Sequence, residues 1–436
     1  MNRRTFFKTS AGLAAVMTAP DVWSCSAPPS TKKHVEFTPY RPDKTLAPVT
    51  KVTPDDGFYI HTFYDVTPFS PSHRFLAVNK LPFQDHDPVL GETCDICVID
   101  LQEKTIETVY TTKGWGFQLG ANLNWGATDR HLYTNDVIGN EPVCVRIDLE
   151  TRETKAFAGP MYHIAPDESR VMGFPLDLIN ATQRGYGVPE TPDTELLPPG
   201  AADDQGLWST DLAANEKTLF MSCAGLAAHV PNREKFDGGT FYFFHTKFNK
   251  QNTRIMQVFR CMHPELKGWN PQLFTFNTDG SNVKLAVTHA QWAPGGHHPN
   301  WHPDGEHLIM NLKPDGETLR FVRFKYDGSD FTVLSENRLG SGHPSITPDG
   351  QWIAADAYPG EPVTRDLEND EVPIRLFNVH QDSEENICTI YTLGKGRGTL
   401  RCDPHPAWSP DYKKVAFNGA PGGVRQVFVA DLSDVV

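Results

Sequence analysis

Residues 399–432 read TLRCDPHPAWSPDYKKVAFNGAPGGVRQVFVADL. The heart of this stretch, HPAWSPD, recurs upstream as HHPNWHPDG from His297 and GHPSITPDG from Gly342. Each copy places His and Pro before a large apolar residue and then Pro-Asp, and a short β-rich run follows: HLIMNL, WIAADAY or KVAFNG. Pro-Asp-Gly between two such runs has the chemistry of a turn, so each copy reads as a β-hairpin. Hairpins repeated at intervals of roughly 40–50 residues mark a β-propeller.

Aligning on the apolar residue before the turn carries the repeat to the front of the chain. The series is Phe69, Trp125, Ile164, Phe248, Trp301, Ile346 and Trp408. The expectation is an all-β, seven-bladed propeller. Only the gap from Ile164 to Phe248 is long enough to hide another blade. Its middle, DLINATQRGYGVPETPDTELLPPGAADDQ, is rich in Pro, Gly and acid and reads as an inserted loop, with eight blades as the outside alternative.

The strand count also says how the ring closes. Several units carry a third strand ending in Asp (CVIDL, CVRIDL, LWSTDL) and then a fourth. The last unit stops after its third strand, QVFVADL. Its outer strand is therefore expected from the N-terminal side, within 34–52, because an open sheet edge invites aggregation. The domain reading is a signal segment over 1–25, a tether with the closing strand over 26–50, and the propeller over 51–436.

The first residues, MNRRTFFKTSAGLAAVMTAP, match a twin-arginine export signal through Arg3 and Arg4, and the apolar run that follows is too short for a stable membrane anchor. The expected location is the periplasm or the outer cell envelope. Cys25 stands where a lipoprotein signal places its acylated cysteine, while Trp23 is bulky for that motif; a lipid anchor at Cys25 is an open alternative. The other seven cysteines are an odd number spread along the chain and make a poor disulfide framework. Cys94 and Cys97 form a CxxC, but on a strand the two point to opposite faces, and no second CxxC completes a zinc site. Buried thiols are the expected role. A net charge of −14 with no basic run excludes a nucleic-acid binder.

The chemistry is expected where the inner strand of each hairpin begins, three residues before the aligned position. There the last four units carry His245, His298, His343 and His405, and the first three carry Val66, Asn122 and Met161. Four imidazoles at one structural position on successive blades would ring half of the channel mouth. Any one of them can serve a turn or a neighbouring blade. Four convergent imidazoles point to a divalent metal, because neutral imidazole is the commonest metal ligand. Asp403, two before His405, shares its side of the strand and can ligate with it. His297 should point the other way and support His298. The donor set suits Mn²⁺, Zn²⁺ or Ca²⁺.

With these motifs the second half, roughly 240–432, resembles the oligogalacturonate lyases of polysaccharide lyase family twenty-two, and the repeats resemble TolB-like propellers. The segments HTKFNKQNTRIMQVFR and LFTFNTDGSN follow that family's order; HHPNWHPDG matches the turn after a metal histidine, and CDPHPAWSPD matches its closing segment. The resemblance implies His298 and His405 as metal histidines, Mn²⁺ as the ion and His245 as an active-site histidine that does not ligate. Asp403 stands where the family has another histidine, and Leu400 where it has a glutamine. The implied activity is a metal-assisted β-elimination at a 4-linked uronic acid, with an acidic oligosaccharide as substrate.

On that expectation the metal set is His298, His343, Asp403 and His405, and His245 moves the proton. Arg184 and Tyr186 on the insertion grip the sugar acid, and Arg401 supplies positive field. Arg260 could add to that field, although a surface ion pair is its ordinary role. Two other classes compete. A glycoside hydrolase would need paired carboxylates among Asp65, Asp85, Asp87, Asp136 and Asp356, where no pair stands out. A non-catalytic envelope propeller would carry no metal.

Overall fold

The computed structural model of the protein describes residues 31–367 and 370–436. The export segment and Cys25 lie outside the described residues. Seven antiparallel sheets form the seven blades expected from the repeat. Each aligned apolar residue ends an innermost strand: Asn124–Trp125, His163–Ile164, Thr240–Phe248, Gly296–Trp301, Ser345–Ile346 and Ala407–Trp408, with Phe69 bridged to Leu76 in the first blade.

The tryptophans of the repeat tie neighbouring blades together. Trp125 Nε1 donates to the Pro68 carbonyl at 2.8 Å, Trp301 Nε1 to that of Lys247 at 3.1 Å, and Trp408 Nε1 to that of Ser345 at 3.2 Å. In each case the indole fills the inter-blade core and its one polar atom finds a partner on the preceding blade. The acid that ends the third strand is a turn former. Asp100, Asp148 and Asp211 each accept from two backbone N–H groups just beyond the strand.

The gap between Ile164 and Phe248 holds no eighth sheet among the described residues. Its insertion runs between strands Arg170–Gly173 and Gly206–Asp211 and carries one short helix, Leu176–Thr182. Gly187 crosses that helix so closely that a Cβ would stand 1.9 Å from the Leu176 carbonyl oxygen, which no side chain tolerates.

Ring closure follows the expectation. Val49–Lys51 pairs with Gln426–Asp431 in the last blade, and Thr38–Pro39 extends that sheet. The same segment does something the strand count did not foretell: Lys33–His34 adds a fifth strand to the first blade by pairing with Thr105 and Ile106. The N-terminal segment thus fastens both sides of the closure. Cys94 and Cys97 pack into different apolar clusters on opposite faces of Cys94–Asp100, and all seven described cysteines are free and buried.

The axial channel is not open from end to end. A tight turn of the first blade, closed by Val66 N–H to the Phe63 carbonyl at 3.1 Å, enters it, and the Tyr64 hydroxyl donates to the Pro299 carbonyl at 2.8 Å. One side of this turn faces a cavity of about 470 Å³ lined by all seven aligned apolar residues and by none of the four histidines. The other side faces the histidines.

Candidate metal centre and the histidine cluster

The four histidines expected at the strand starts converge. The Phe63 ring lies 5.8, 6.3, 5.6 and 4.6 Å from the rings of His245, His298, His343 and His405. Their backbone explains the convergence. His245, His298 and His405 hold φ of 61°, 58° and 51°, and His343 follows Gly342 at φ 60°. Register shifts in the inner strands fall at His245 and between His297 and Asn300. A bulge in left-handed backbone re-aims a side chain that regular pleating would send elsewhere, at a strain of about 1 kcal/mol or more per residue. The first blades differ as the alignment implied: Asn122, also at positive φ, spends its amide on the carbonyls of Met161 and Tyr162.

Hydrogen bonds assign the imidazole faces. His298 Nδ1 lies 2.8 Å from the Gly342 carbonyl, which can only accept, so Nδ1 carries the proton and Nε2 the lone pair. His297 sits behind it, Nδ1 to Nδ1 at 2.7 Å. His343 Nδ1 is held by both oxygens of Asp356 at 2.9 and 3.0 Å, which likewise leaves the lone pair on Nε2. Asp356 also accepts from the backbone N–H groups of His343 and His405, so one buried carboxylate sets two histidines on adjacent blades. The Tyr358 hydroxyl stands 3.5 Å from His298 Nε2 and 3.3 Å from His343 Nε2.

His343, Asp403 and His405 each offer a donor atom within 4.8 Å of the others, and both ring nitrogens of His405 are buried with no hydrogen-bond partner among the described residues. Orphaned imidazole nitrogens beside a carboxylate fit a divalent cation, and neutral rings are what such an ion takes. Burial pushes His298 and His405 well below the ordinary histidine range, and the neighbouring imidazoles push the same way. Of the sequence set, His298 stands slightly apart: its ring lies tilted against that of His343, with centroids 3.8 Å apart, and it is not one of the close trio. Asp403 has a second allegiance, because Arg401 Nε sits 3.0 and 2.9 Å from its two oxygens. Burial still raises the Asp403 pKa.

His245 is set differently. Its Nε2 lies 2.5 Å from Asp65 Oδ2, and Lys247 Nζ lies 3.0 Å from Oδ1 of the same buried carboxylate. Burial alone would raise the Asp65 pKa, but Lys247 and His245 hold it well below the carboxylate range. Asp65 thus fixes the proton on Nε2 and leaves the lone pair of His245 on Nδ1.

Tyr186 brings the insertion to the cluster. Its ring edge meets Phe63 at 6.1 Å, and its hydroxyl accepts from Arg401 Nη2 at 3.0 Å. Arg184 is exposed, and no hydrogen bond or ion pair joins it to the cluster among the described residues, so the expected pair of gripping residues is not brought together. Arg401 neutralises Asp403 and braces Tyr186; its charge is not free. The surface ion pair expected for Arg260 is also corrected. Arg260 is 8% exposed, without a carboxylate partner among the described residues, and is flanked by the Phe244 ring at 3.8 Å and the Trp269 ring at 4.5 Å.

Sequence reasoning missed Phe63, Tyr358, Lys247 and the fully buried His61. Lys247 had a signal, since it lies two residues beyond His245 on an inner strand. Asp65 and Asp356 were weighed only as hydrolase acids. Each is buried against a histidine, and among the described residues these five acids form no open carboxylate pair: Asp136 is tied to Tyr110 and Thr112, Asp85 to His86, and Asp87 to Thr399.

No protein-family model matches the chain. It is 25% identical over 166 residues to an uncharacterized protein of Agrobacterium fabrum, and 25% identical over 177 residues to an oligogalacturonide lyase of Pectobacterium atrosepticum. These matches cover 34% and 38% of this chain, and about half the length of the curated relatives, 53% and 44%. Among solved structures, an oligogalacturonate lyase in complex with manganese superposes with a TM-score of 0.65 at 16% identity, covering 92% of this chain and 98% of that one. The oligogalacturonate lyase of Vibrio parahaemolyticus gives 0.64 over the same shares. Across nearly its whole length, then, this chain has the seven-bladed fold of the oligogalacturonate lyases.

Proposed function

We propose that the protein is a lyase that cleaves acidic oligosaccharides by β-elimination at a 4-linked uronic acid, with an oligogalacturonate-like substrate. The observation that carries this reading is the convergence of four imidazoles from successive blades on Phe63, with donor atoms of His343, Asp403 and His405 within 4.8 Å of one another. The similarity to oligogalacturonate lyases, one of them holding manganese, supports it.

Elimination removes the proton on C5, α to the uronate carboxylate, forms the C4–C5 double bond and expels the sugar oxygen at C4, which takes up a proton. Charge builds on the carboxylate side of the substrate as C5 is deprotonated. His343, Asp403 and His405, with His298 beside them, would hold a divalent cation such as Mn²⁺; when bound, it supplies Lewis-acid stabilisation of that charge. His245 takes the C5 proton on Nδ1, because Asp65 holds its Nε2 proton and stabilises the imidazolium that results. Burial and the nearby cations keep His245 unprotonated before the reaction, which is the state a base needs. Partly exposed His298, Tyr358 and Arg401 mark where substrate meets the cluster.

The test is incubation with polygalacturonate and manganese, following the ultraviolet absorbance of the unsaturated product. Wild type should generate it, and His245→Ala should lose about 100-fold or more in kcat with substrate binding largely kept. A saturated new chain end with water incorporated would make the enzyme a hydrolase. Full turnover by His245→Ala would remove His245 as the base.

A further inference from the structure

Lys247 is buried behind the proposed base and does not itself meet the reacting atoms. Lys51, Lys80 and Lys325 also hold carboxylates, but nearer the surface; the Lys247 side chain is 4% exposed and that of its partner Asp65 is fully buried. Asp65 comes from the turn of the first blade that enters the channel, while Lys247 and His245 share the inner strand Thr240–Phe248 of the fourth, so the contact crosses the axis. One oxygen of Asp65 lies 3.0 Å from Lys247 Nζ and the other 2.5 Å from His245 Nε2. Asp65 and Lys247 line the cavity of about 470 Å³ on the side of the turn away from the histidines, and His245 does not. Lys247 therefore touches the site only through Asp65.

A desolvated carboxylate can neutralise one cation. Asp65 has two claimants, and an ammonium is more basic than an imidazole by about four pH units. Burial lowers the pKa of Lys247 and of His245, and Asp65 opposes that in both, so their order is kept. The proton rests on Lys247, and His245 is left neutral. The other groups around His245 do not enter this count. Tyr64 of the same turn and Tyr162 of the third blade, with rings 6.3 and 5.7 Å from that of His245, are pushed far above the phenol range by burial, and burial pushes His163 well below the histidine range. All three are uncharged. Arg260, on the neighbouring strand Arg254–Met262, adds positive field at His245 but makes no contact with Asp65 among the described residues.

We infer that Lys247 is a positioning residue for the reaction: as the counter-ion of Asp65 it keeps His245 uncharged, so that Nδ1 is free to take the C5 proton. Its part in turnover rests on the role of His245 as the base. Its part in the charge of His245 does not, and can be measured without substrate. Without Lys247 the same carboxylate would hold His245 as imidazolium, and the base would be blocked.

The experiment titrates the His245 imidazole by NMR in histidine-labelled protein, with calcium in place of paramagnetic manganese and the signal identified by its loss in His245→Gln. In parallel, the pH dependence of kcat/KM on polygalacturonate is measured with manganese. Lys247→Met removes the ammonium and keeps the length of the chain. Its His245 should titrate about one pH unit or more above that of wild type, a tenfold or greater gain in proton affinity, because Asp65 then has the imidazole as its only cation. The acid limb of the rate profile should move up by the same amount. Lys247→Arg, for whose larger head the adjoining cavity has room, should return both to their wild-type positions. A His245 titration that is unmoved or lower in Lys247→Met overturns the inference. So does a Lys247→Met protein that fails to fold at about pH 6, where His245 should take over as counter-ion. A uniform loss of rate with the acid limb in place also overturns it, since that is a structural role. Failure of the lyase reading looks different: the imidazole titration would shift as expected, and wild type would release no unsaturated product.

Discussion

Asp356 shows how one side chain organises two others. Its carboxylate holds His343 Nδ1 and also receives the backbone N–H groups of His343 and His405. A carboxylate behind a ligating histidine fixes its tautomer and strengthens its donation, and losing one typically lowers metal affinity about 10–100-fold. Asp356→Asn keeps the shape, but its amide cannot accept from all three donors. Manganese titration of Asp356→Asn should therefore give weaker binding by that factor, with the blade content unchanged by circular dichroism; unaltered affinity would mean that Asp356 only fastens the turns. The histidines themselves were legible because they sit at one offset from a repeated turn. Asp356 was not assignable, because its partners lie on its own blade's first strand and on the next blade, which no spacing in the chain connects.

Among elements, the inner strand decides both stability and site. In the last four blades the histidine stands three residues before the aligned apolar residue that ends the inner strand, so a shift of one displaces the other. Trp301 illustrates the bond between blades: it is 8% exposed, with Nε1 on the Lys247 carbonyl, two residues from His245. Trp301→Phe keeps most of the apolar contact and loses that hydrogen bond, which should destabilise by about 1 kcal/mol. Trp301→Ala should remove about 3–5 kcal/mol. Chemical unfolding of the two variants checks the ratio, and equal losses would show that the hydrogen bond, not the packing, carries the contact. The repeat made the strand ends readable. The bulges at His245 and His298 were hidden, since the same residues could have stayed in regular pleat with their imidazoles turned into a blade.

At the scale of the whole molecule, the ring buries His61, His298 and His405 where desolvation opposes their protonation. His61 is fully buried and its pKa is lowered from 6.5 to about 4 by burial, and burial likewise lowers those of His298 and His405. In the unfolded chain these groups protonate near 6.5, while in the folded protein they do not. The unfolded state therefore binds more protons, and stability falls as pH drops from about 6.5 towards 4. His61 alone corresponds to about 3 kcal/mol over that window. Urea unfolding should give a steep loss of stability across it and little change from about pH 7 to 8, and His61→Leu should flatten the slope. A stability that stays level down to about pH 4 in wild type would contradict neutral burial of these rings.

By itself the sequence determined the number of blades, the strand ends, the insertion in the third blade and the closing strand from the N-terminal side. All of these follow from local chemistry repeated along the chain: Pro-Asp turns, β-rich runs and one missing strand. It also marked His245, His298, His343 and His405, because a propeller turns a repeated offset in sequence into a circle in space. Only the tertiary structure decided what those imidazoles meet. The plug at Phe63, the grip of the Asp65 carboxylate on His245 and of Asp356 on His405, the bond from Arg401 to Tyr186 and that from Arg260 to Gln183 are contacts between segments far apart in the chain. Such contacts are set by how blades pack around the axis and by left-handed backbone at single residues, and neither leaves a period in the sequence to read.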